Sequence, residues 1–280
     1  MRFVSKILKH SFLILLLLLI MFPLLYTVLS SFKTNTEILA YPERLFPKKF
    51  TFDNYVEAWN SNSFPILDML FNSICYTVIS VAITIMISSI TGYVFSRGKF
   101  PGKNVIFTIF AALMFVSLGT ITMYPNFEVV EFLHLPKSLW TLLMVKCFGI
   151  PVANIYLVRG FIQGIPYDID EAAKIDGCSF HMIFFKIIFP MLMPILATIG
   201  MLSFNASWND YMSPMIWTMT RPEQRTLIVG IVQLKTTGEA AASWNLMLAG
   251  TTVALIPVLI AYAFGNKFFV QGIASGAVKG

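Results

Sequence analysis

Long stretches without a single charged residue constrain this 280-residue chain more than any other feature. Charged residues make up only 12% of the sequence and hydrophobic residues 57%, which is too apolar for a soluble domain of this size. A helix needs about 20 mostly apolar residues to cross a hydrocarbon core about 30 Å thick. The sequence therefore predicts an all-α membrane protein with several spans.

Six segments are long and apolar enough to cross, and we interpret them as one transmembrane domain over residues 1–280. They are residues 11–31, 68–95, 104–123, 139–158, 187–208 and 246–265. The first follows basic residues, as a signal peptide would, but its apolar run is long and lacks an A-x-A-like cleavage site. A retained anchor is therefore favoured. Pro151, Pro194 and Pro257 are expected to bend their spans.

The lysines and arginines of the short loops orient these spans. With the N-terminus inside, 11 of the 20 basic residues lie inside, including the purely basic turn SRGKFPGK at 96–103. Ten of the 14 acidic residues then lie outside. Both termini are therefore predicted to be cytoplasmic.

The four remaining acids all fall in one inside stretch, DIDEAAKIDG at 168–177. Asp168 is predicted to cap a short helix, and Glu171 to complete a capping box. Gly177 is predicted to end that helix, and Ser179 to begin an amphipathic helix that runs into the fifth span.

Two interpretations of this stretch stay open on the residues alone. An ordinary interfacial loop accounts for the capping acids, but not for Ala172 and Ala173, nor for acid on the side where base is the rule. A docking helix would place Ile169 and the two alanines in a groove of a cytoplasmic partner. Its carboxylates would then meet basic residues of that partner.

Polar residues inside the spans have two interpretations as well. A stripe of small hydroxyls in the second span favours close helix packing over a wet path; it comprises Ser73, Thr77, Ser80, Thr84, Ser88 and Thr91. Thr198, Asn205 and Asn209 share one face of the fifth span and are the candidate lining of a solute path, with contact between helices as the alternative. Lys146 is expected to extend to the outer interface.

Several functions are disfavoured by what the sequence lacks. The three cysteines and three histidines are dispersed, and neither HExxH nor CxxC occurs, so no metal site or disulfide framework is predicted. No GxxxxGK[ST] phosphate loop occurs, so the chain is not expected to hydrolyse ATP itself. The net charge of +6 follows the predicted membrane orientation and does not indicate a nucleic-acid partner.

One run of motifs resembles a known family. The pattern EAA, three residues, Gly, nine residues and I-x-F-P, from Glu171 to Pro190, resembles the EAA motif of binding-protein-dependent ABC importer permeases. That family usually has I-x-L-P, so Phe189 is a mild departure. Further segments resemble the carbohydrate branch of MalG type: FTFDNY at 50–55, NS at 72–73, YVFSR at 93–97, WNDY at 208–211 and GAVKG at 276–280.

The resemblance implies a fold and a set of partners. It implies a MetI/MalG-like permease fold in a bacterial cytoplasmic membrane, paired with a second homologous permease. Two cytoplasmic ATPase subunits, which bind the ATP and Mg, and an extracytoplasmic solute-binding protein are the other implied partners. The permease itself would hold no cofactor and would not be an enzyme.

The resemblance also implies residue roles. The coupling loop would span residues 159–186, with Glu171, Ala172, Ala173, Asp176 and Gly177 docking on an ATPase. The tail around Gly276 and Lys279 would reach into the ATPase pair, a frayed end being the alternative. Residues 212–243 correspond by position to the exterior loop that meets the binding protein.

The function expected from these observations is import of sugars, of which oligosaccharides are the first expectation, by alternating access. Alternatives within the same class are a polyol or a sugar phosphate as solute. An ion-coupled secondary transporter would need carboxylates deep in a span, and a membrane enzyme would need clustered catalytic groups. Neither is found in the sequence.

Overall fold

The computed structural model describes the backbone of residues 2–115, 119–236 and 243–277. Every regular element within those ranges is helical, in agreement with the predicted all-α class. The α-helices are α1 (Arg2–Ser30), α2 (Asn35–Ala40), α3 (Asp53–Asn60), α4 (Ile66–Arg97), α5 (Lys103–Leu113), α6 (Met123–Phe132), α7 (Leu139–Cys147), α8 (Val152–Gln163), α9 (Asp168–Ile175), α10 (Phe180–Ile183), α11 (Phe189–Met191), α12 (Met193–Trp208), α13 (Met212–Trp217), α14 (Leu227–Thr236) and α15 (Trp244–Ala277).

Three of these helices are long and apolar enough to cross a membrane. They are Lys6–Ser30 within α1, the whole of α4, and Trp244–Gly265 within α15. They correspond to the predicted first, second and sixth spans. Two bent helix pairs, α7 with α8 and Phe180–Met191 with α12, raise the number to at most five. They correspond to the fourth and fifth.

The predicted third span, residues 104–123, differs from expectation. Helix α5 has 11 residues and ends at Leu113, which makes it about 16 Å long and too short to cross alone. A single 3-10 turn, Gly119–Thr122, follows beyond residues 116–118, which lie outside the described residues. The count of six spans and the cytoplasmic position of both termini therefore stay predictions.

The fifth span also departs from the expected continuous helix. Residues Phe184–Ile188 form a π-helical turn, and the chain bends by 75° between Phe180–Met191 and α12. Pro194 lacks the N–H that would bond back to the carbonyl of Pro190, so the helix cannot continue straight through this point. The fourth span bends by 43° just before α8, next to Pro151, as predicted. Pro257, in contrast, lies inside the continuous helix α15.

The chain divides into two compact units, and each is described by itself. The first comprises Met1–Phe71 and Thr226–Pro257. Its core contains the buried side chains of Phe64, Met69 and Leu227. The buried amide of Asn54 donates to the carbonyls of Ser31 and Lys33, which fixes α3 against the end of α1.

The second unit comprises Asn72–Arg225 and Val258–Gly280. Its described residues form two cores. The first joins α4 and α8 to the DIDEAAKIDG segment and the helices after it; its buried members are Tyr93, Val158, Ile162, Ile165, Ala173, Ile183, Phe184, Ile188, Leu192, Ile195, Leu196 and Ile199. The second core packs around Tyr76, Leu139 and Trp217.

Small residues let α4 pack closely against its neighbours, as the hydroxyl stripe predicted. Ser73, Thr77, Ser80 and Ser88 are each at most 3% exposed. One turn further, a Cβ added at Gly92 would come within 2.7 Å of Val158 Cγ1 and 3.2 Å of the Arg159 backbone nitrogen on α8. Only a residue without a side chain fits at this crossing.

We therefore expect Gly92→Leu to destabilise the second unit by about 1–3 kcal/mol, because the added side chain overpacks the α4–α8 crossing. Gly160→Leu is the matched control, since a Cβ at Gly160 on α8 meets nothing within 4 Å. The measurement is the heat-induced unfolding of both purified variants. An equal loss of stability in both would contradict the close crossing.

Candidate functional site

The segment DIDEAAKIDG folds as the predicted short helix, α9, which runs from Asp168 to Ile175. Its start differs from the expected capping box. Tyr167 precedes the helix with helical backbone angles, and its carbonyl accepts from the N–H groups of Asp170 and Glu171. Asp168 thus lies inside the first turn and makes no side-chain cap. Three acids in that turn still suit the positive end of the helix dipole.

The C-terminal end of α9 agrees with the prediction. Gly177 has φ +81°, a left-handed conformation that favours glycine. The N–H of Cys178 donates to the carbonyl of Ala173 at 2.9 Å, and that of Gly177 to Lys174 at 3.0 Å. This is a Schellman motif. Ser179 then begins the next helix by accepting from the Met182 N–H, as predicted.

One of the four acids is not available to a partner, because Asp170 forms a buried ion pair with Arg97. Its Oδ2 lies 3.1 Å from Arg97 Nε, and the side chains are 3% and 11% exposed. The Nε–H does not point at the oxygen well enough for a hydrogen bond, so charge holds the pair together. Arg97 Nη2 also donates to the Ile165 carbonyl at 2.7 Å, and its guanidinium lies 5.2 Å from the centre of the Tyr167 ring.

Sequence reasoning missed this pair, although it singled out both residues. In the sequence, Arg97 belongs to the basic turn after the second span and to the YVFSR segment, and Asp170 belongs to the acidic stretch. One signal in the sequence could have indicated the pair. The predicted topology places Asp170 and Arg97, which ends the second span, on the same side of the membrane. No pattern in the sequence itself links positions 97 and 170, because only the folded structure brings them into contact.

The two alanines of α9 lie about 100° apart around the helix, and only one of them is exposed, which corrects the expected Ala-Ala docking face. Ala173 is 4% exposed and belongs to the core of the second unit, whereas Ala172 is exposed. The exposed positions Asp168, Glu171, Ala172 and Ile175 follow the spacing i, i+3, i+4, i+7 and form one face. We call these four residues the docking stripe.

The docking stripe combines two carboxylates with apolar surface. Ile175 is 87% exposed, which is unusual for so large an apolar side chain next to charged residues. Asp176, which follows the helix, and Gly177 are also exposed. A surface of this composition suits a protein partner that offers basic residues around an apolar contact.

Aromatic contacts hold the helix after α9 against the spans. The Tyr93 ring lies 4.6 Å from Phe180 and 5.1 Å from Phe184, centre to centre. The Tyr93 hydroxyl donates to the Phe180 carbonyl at 3.4 Å. Together with the Arg97–Asp170 pair, these contacts attach both ends of the α9 segment to the C-terminal turns of α4.

Comparison with known proteins identifies this arrangement. Residues 58–275 match the model of the family described as binding-protein-dependent transport system inner membrane component. The chain belongs to this family. It is therefore a transport component of a multi-pass membrane assembly and not an enzyme, and the EAA motif with a coupling helix is typical of such permeases.

Individual relatives agree over nearly the whole chain. A probable ABC transporter permease, YurM of Bacillus subtilis, is 33% identical over 96% of this chain and 87% of its own. The arabinooligosaccharide transport permease AraQ of the same organism is 31% identical over 99% and 97%. In a crystal structure of a bacterial importer of the acidic polysaccharide alginate, one chain matches with a TM-score of 0.78 and 25% identity, over 95% of this chain and 96% of that one.

The family membership supplies the partners in outline. A permease of a binding-protein-dependent ABC importer acts in the membrane with an ATPase and a solute-binding protein. In the part of this permease that the structure describes, no group of three His, Cys, Asp or Glu residues could hold a metal ion.

The residues predicted to line a solute path separate into two groups. Thr198 is 7% exposed, and its hydroxyl donates to the Pro194 carbonyl, so it faces the permease's own core. Asn205 and Asn209 are exposed at the end of α12, and Asn209 Nδ2 donates to Asn205 Oδ1 at 2.9 Å. Thr198 lies on the same face of α12 as the two asparagines. It is buried because the N-terminal half of α12 packs into the core around Ile195 and Ile199.

A polar cluster in the permease was not predicted. The hydroxyl of Tyr76 on α4 donates to Asp210 Oδ2 at 2.7 Å. Lys146 Nζ lies 3.2 Å from Ser80 Oγ and 4.2 Å from the centre of the Tyr76 ring. Lys146 thus points at α4 and does not extend freely to the outer interface as expected. Asp210 belongs to the WNDY motif, but its contact with Tyr76 is visible only in the folded structure.

The predicted contact of the tail with the ATPase pair is untested. Gly276 lies in the last turn of α15, and Lys279 lies outside the described residues.

We expect Asp170→Asn to destabilise the permease by about 3–5 kcal/mol, because it leaves the Arg97 charge buried without a counter-ion. The measurement is thermal unfolding of the purified chain, and exchange of the two residues (Arg97→Asp with Asp170→Arg) should recover part of the loss. Glu131→Gln is the matched control, since it removes the exposed Lys137–Glu131 pair at 3.8 Å. That pair should contribute less than about 1 kcal/mol. Equal effects at both pairs would refute the structural importance of the buried pair.

Proposed function

We propose that this permease is one transmembrane subunit of an ATP-driven importer of oligosaccharides, which moves solute across the cytoplasmic membrane by alternating access. The substrate class is supported by relatives named for arabinooligosaccharide and galactooligosaccharide transport, at 31% and 30% identity. The chain would pair with a second homologous permease, and each of two ATPase subunits would bind ATP and Mg.

The docking stripe is the observation that carries the coupling proposal. Its carboxylates, Asp168 and Glu171, face outward on a helix whose inner side is fixed by Asp170 and Ala173. An ion pair and a shared core join α9 to the end of α4. A partner that moves the docking stripe would therefore also move the end of α4. The closing of two ATPases on ATP would reach the spans by this route.

Glu171, Ala172, Asp176 and Gly177 would meet the ATPase directly in this proposal. Ala173 would contribute by fixing the helix, because it is buried in the permease's own core. The tail from Gly276 to Lys279 would enter the ATPase pair. Residues 212–243 would face the solute-binding protein.

Glu171→Lys should abolish ATP-dependent uptake of an oligosaccharide into vesicles that contain the complete importer, because it reverses the charge at the centre of the docking stripe. The amount of permease in the membrane should not change, since Glu171 is exposed and has no ion-pair partner within the described residues. Glu57→Lys on α3 is the control, as the same substitution at an exposed helical position away from the stripe.

The same vesicles test the class of transporter. Uptake should require ATP inside and should not follow an imposed proton or sodium gradient. Uptake driven by an ion gradient without ATP would overturn the importer proposal, and full transport by Glu171→Lys would remove the coupling role from α9.

Asn205 and Asn209 are proposed to line the solute path, because their exposed amides can bond to sugar hydroxyls. Asn209→Leu should raise the KM for uptake by about two- to tenfold, which is the worth of one hydrogen bond at about 0.5–1.5 kcal/mol. Basal ATPase activity should stay constant. Ala206→Leu adds a similar side chain to the exposed surface of the same helix and should leave KM unchanged. Equal KM values for both variants would contradict the assignment.

A further inference from the structure

Lys146 is a positively charged residue that the permease places inside a predicted span without a close counter-ion. It lies in the last turn of α7, where the helix dipole favours a cation. Its ammonium contacts the Ser80 hydroxyl and the face of the Tyr76 ring. Among the described residues, no carboxylate oxygen lies within 4.0 Å of it.

The nearby carboxylate of Asp210 is occupied by other donors. The Tyr76 hydroxyl donates to its Oδ2 at 2.7 Å, and the Ser213 backbone N–H donates to its Oδ1 at 3.1 Å. Tyr76 therefore contacts both charged groups and keeps them from forming a direct ion pair. Asp210 attracts Lys146 only from a longer distance.

An ammonium in this position has unused capacity to bind. It carries three N–H donors, and a single side-chain oxygen, that of Ser80, accepts from it in the described structure. A cation within a span is costly, and such residues normally face a cavity or a partner of opposite charge. An anionic group of a ligand would supply that partner.

A cavity of about 480 Å³ lies beside Lys146 and has the size of a small-molecule site. Its lining residues are Thr122, Met123, Asn126, Val129, Leu142, Val145, Lys146, Phe148, Gly149, Ser213 and Trp217. The cavity adjoins the break between α7 and α8, and broken helices often line solute sites in transporters. The amide of Asn126 makes no hydrogen bond to a described residue, so it can donate to or accept from a ligand.

We infer that Lys146, Asn126 and Ser213 form a subsite for the carboxylate-bearing ring of an acidic sugar, so that the imported solute is a uronate-containing oligosaccharide. The ammonium would bind the carboxylate through a charge-assisted hydrogen bond, and the amide and hydroxyl would bind ring hydroxyls. One cation matches the single charge of a carboxylate, whereas the double charge of a phosphate is usually met by several donors or an arginine fork. This inference rests on the proposed importer function.

The test uses the complete importer in lipid vesicles, with its own solute-binding protein, and two matched probes. Digalacturonate carries the carboxylates, and galactobiose is its neutral counterpart. Lys146→Met should reduce digalacturonate uptake at low concentration by about tenfold or more, as expected from the loss of one charge-assisted hydrogen bond. Lys146→Arg should retain most of the uptake.

Two controls separate binding from folding. Lys137→Gln removes a lysine that is already paired with Glu131 on the surface, and it should leave digalacturonate uptake unchanged. The amount of assembled Lys146→Met importer in the vesicles should equal that of the unaltered importer, because methionine keeps the length and the apolar stem of the lysine side chain. Asn126→Leu should weaken digalacturonate uptake less than Lys146→Met does.

Other results would overturn the inference. Uptake of galactobiose but not digalacturonate would refute the acidic subsite and leave the sugar importer standing. Uptake of digalacturonate that Lys146→Met leaves unchanged, or lowers only in proportion to a smaller amount of assembled importer, would assign Lys146 to structure alone. Uptake of no oligosaccharide by the unaltered importer would refute the proposed function itself.

Discussion

The buried pair of Arg97 and Asp170 is the contact on which the coupling region depends. Both charges are almost removed from solvent, and each would be costly without the other. Helix α9 therefore cannot leave the end of α4 without exposing or stranding a charge. Such a pair contributes little net stability compared with apolar packing, but it specifies one position strictly. Position is what a helix needs if it is to pass movement from a partner to a span.

The two sides of α9 show how one short helix can serve two surfaces. Asp170 and Ala173 face the permease's own core, while Asp168, Glu171, Ala172 and Ile175 face outward. A helix of 8 residues is too short to be stable alone in water, so tertiary contacts must hold it. The inner residues therefore provide the stability, and the outer residues are free to match a partner.

The sequence predicts those parts of the structure that depend on local chemistry. Hydropathy locates the long spans, the bounds of α9 agree closely, and Gly177 and Ser179 end and begin helices as expected. What could not be predicted depends on contacts between distant residues. Nothing near Asp170 in the sequence indicates Arg97, and nothing near Ala172 and Ala173 tells which of the two is buried. The start of α9 is a case between these, since the helical angles of Tyr167 remove Asp168 from the cap position.

The cluster around Arg97 and the cluster around Lys146, both in the second unit, differ in whether the cation contacts a carboxylate directly. Arg97 contacts its carboxylate directly at 3.1 Å, and that charge is neutralised within the chain. Lys146 and Asp210 are held apart, because the hydroxyl of Tyr76 bonds to the acid while its ring lies against the ammonium. The tyrosine keeps the cation oriented and unneutralised beside a cavity, which favours a role in binding over a role in folding alone.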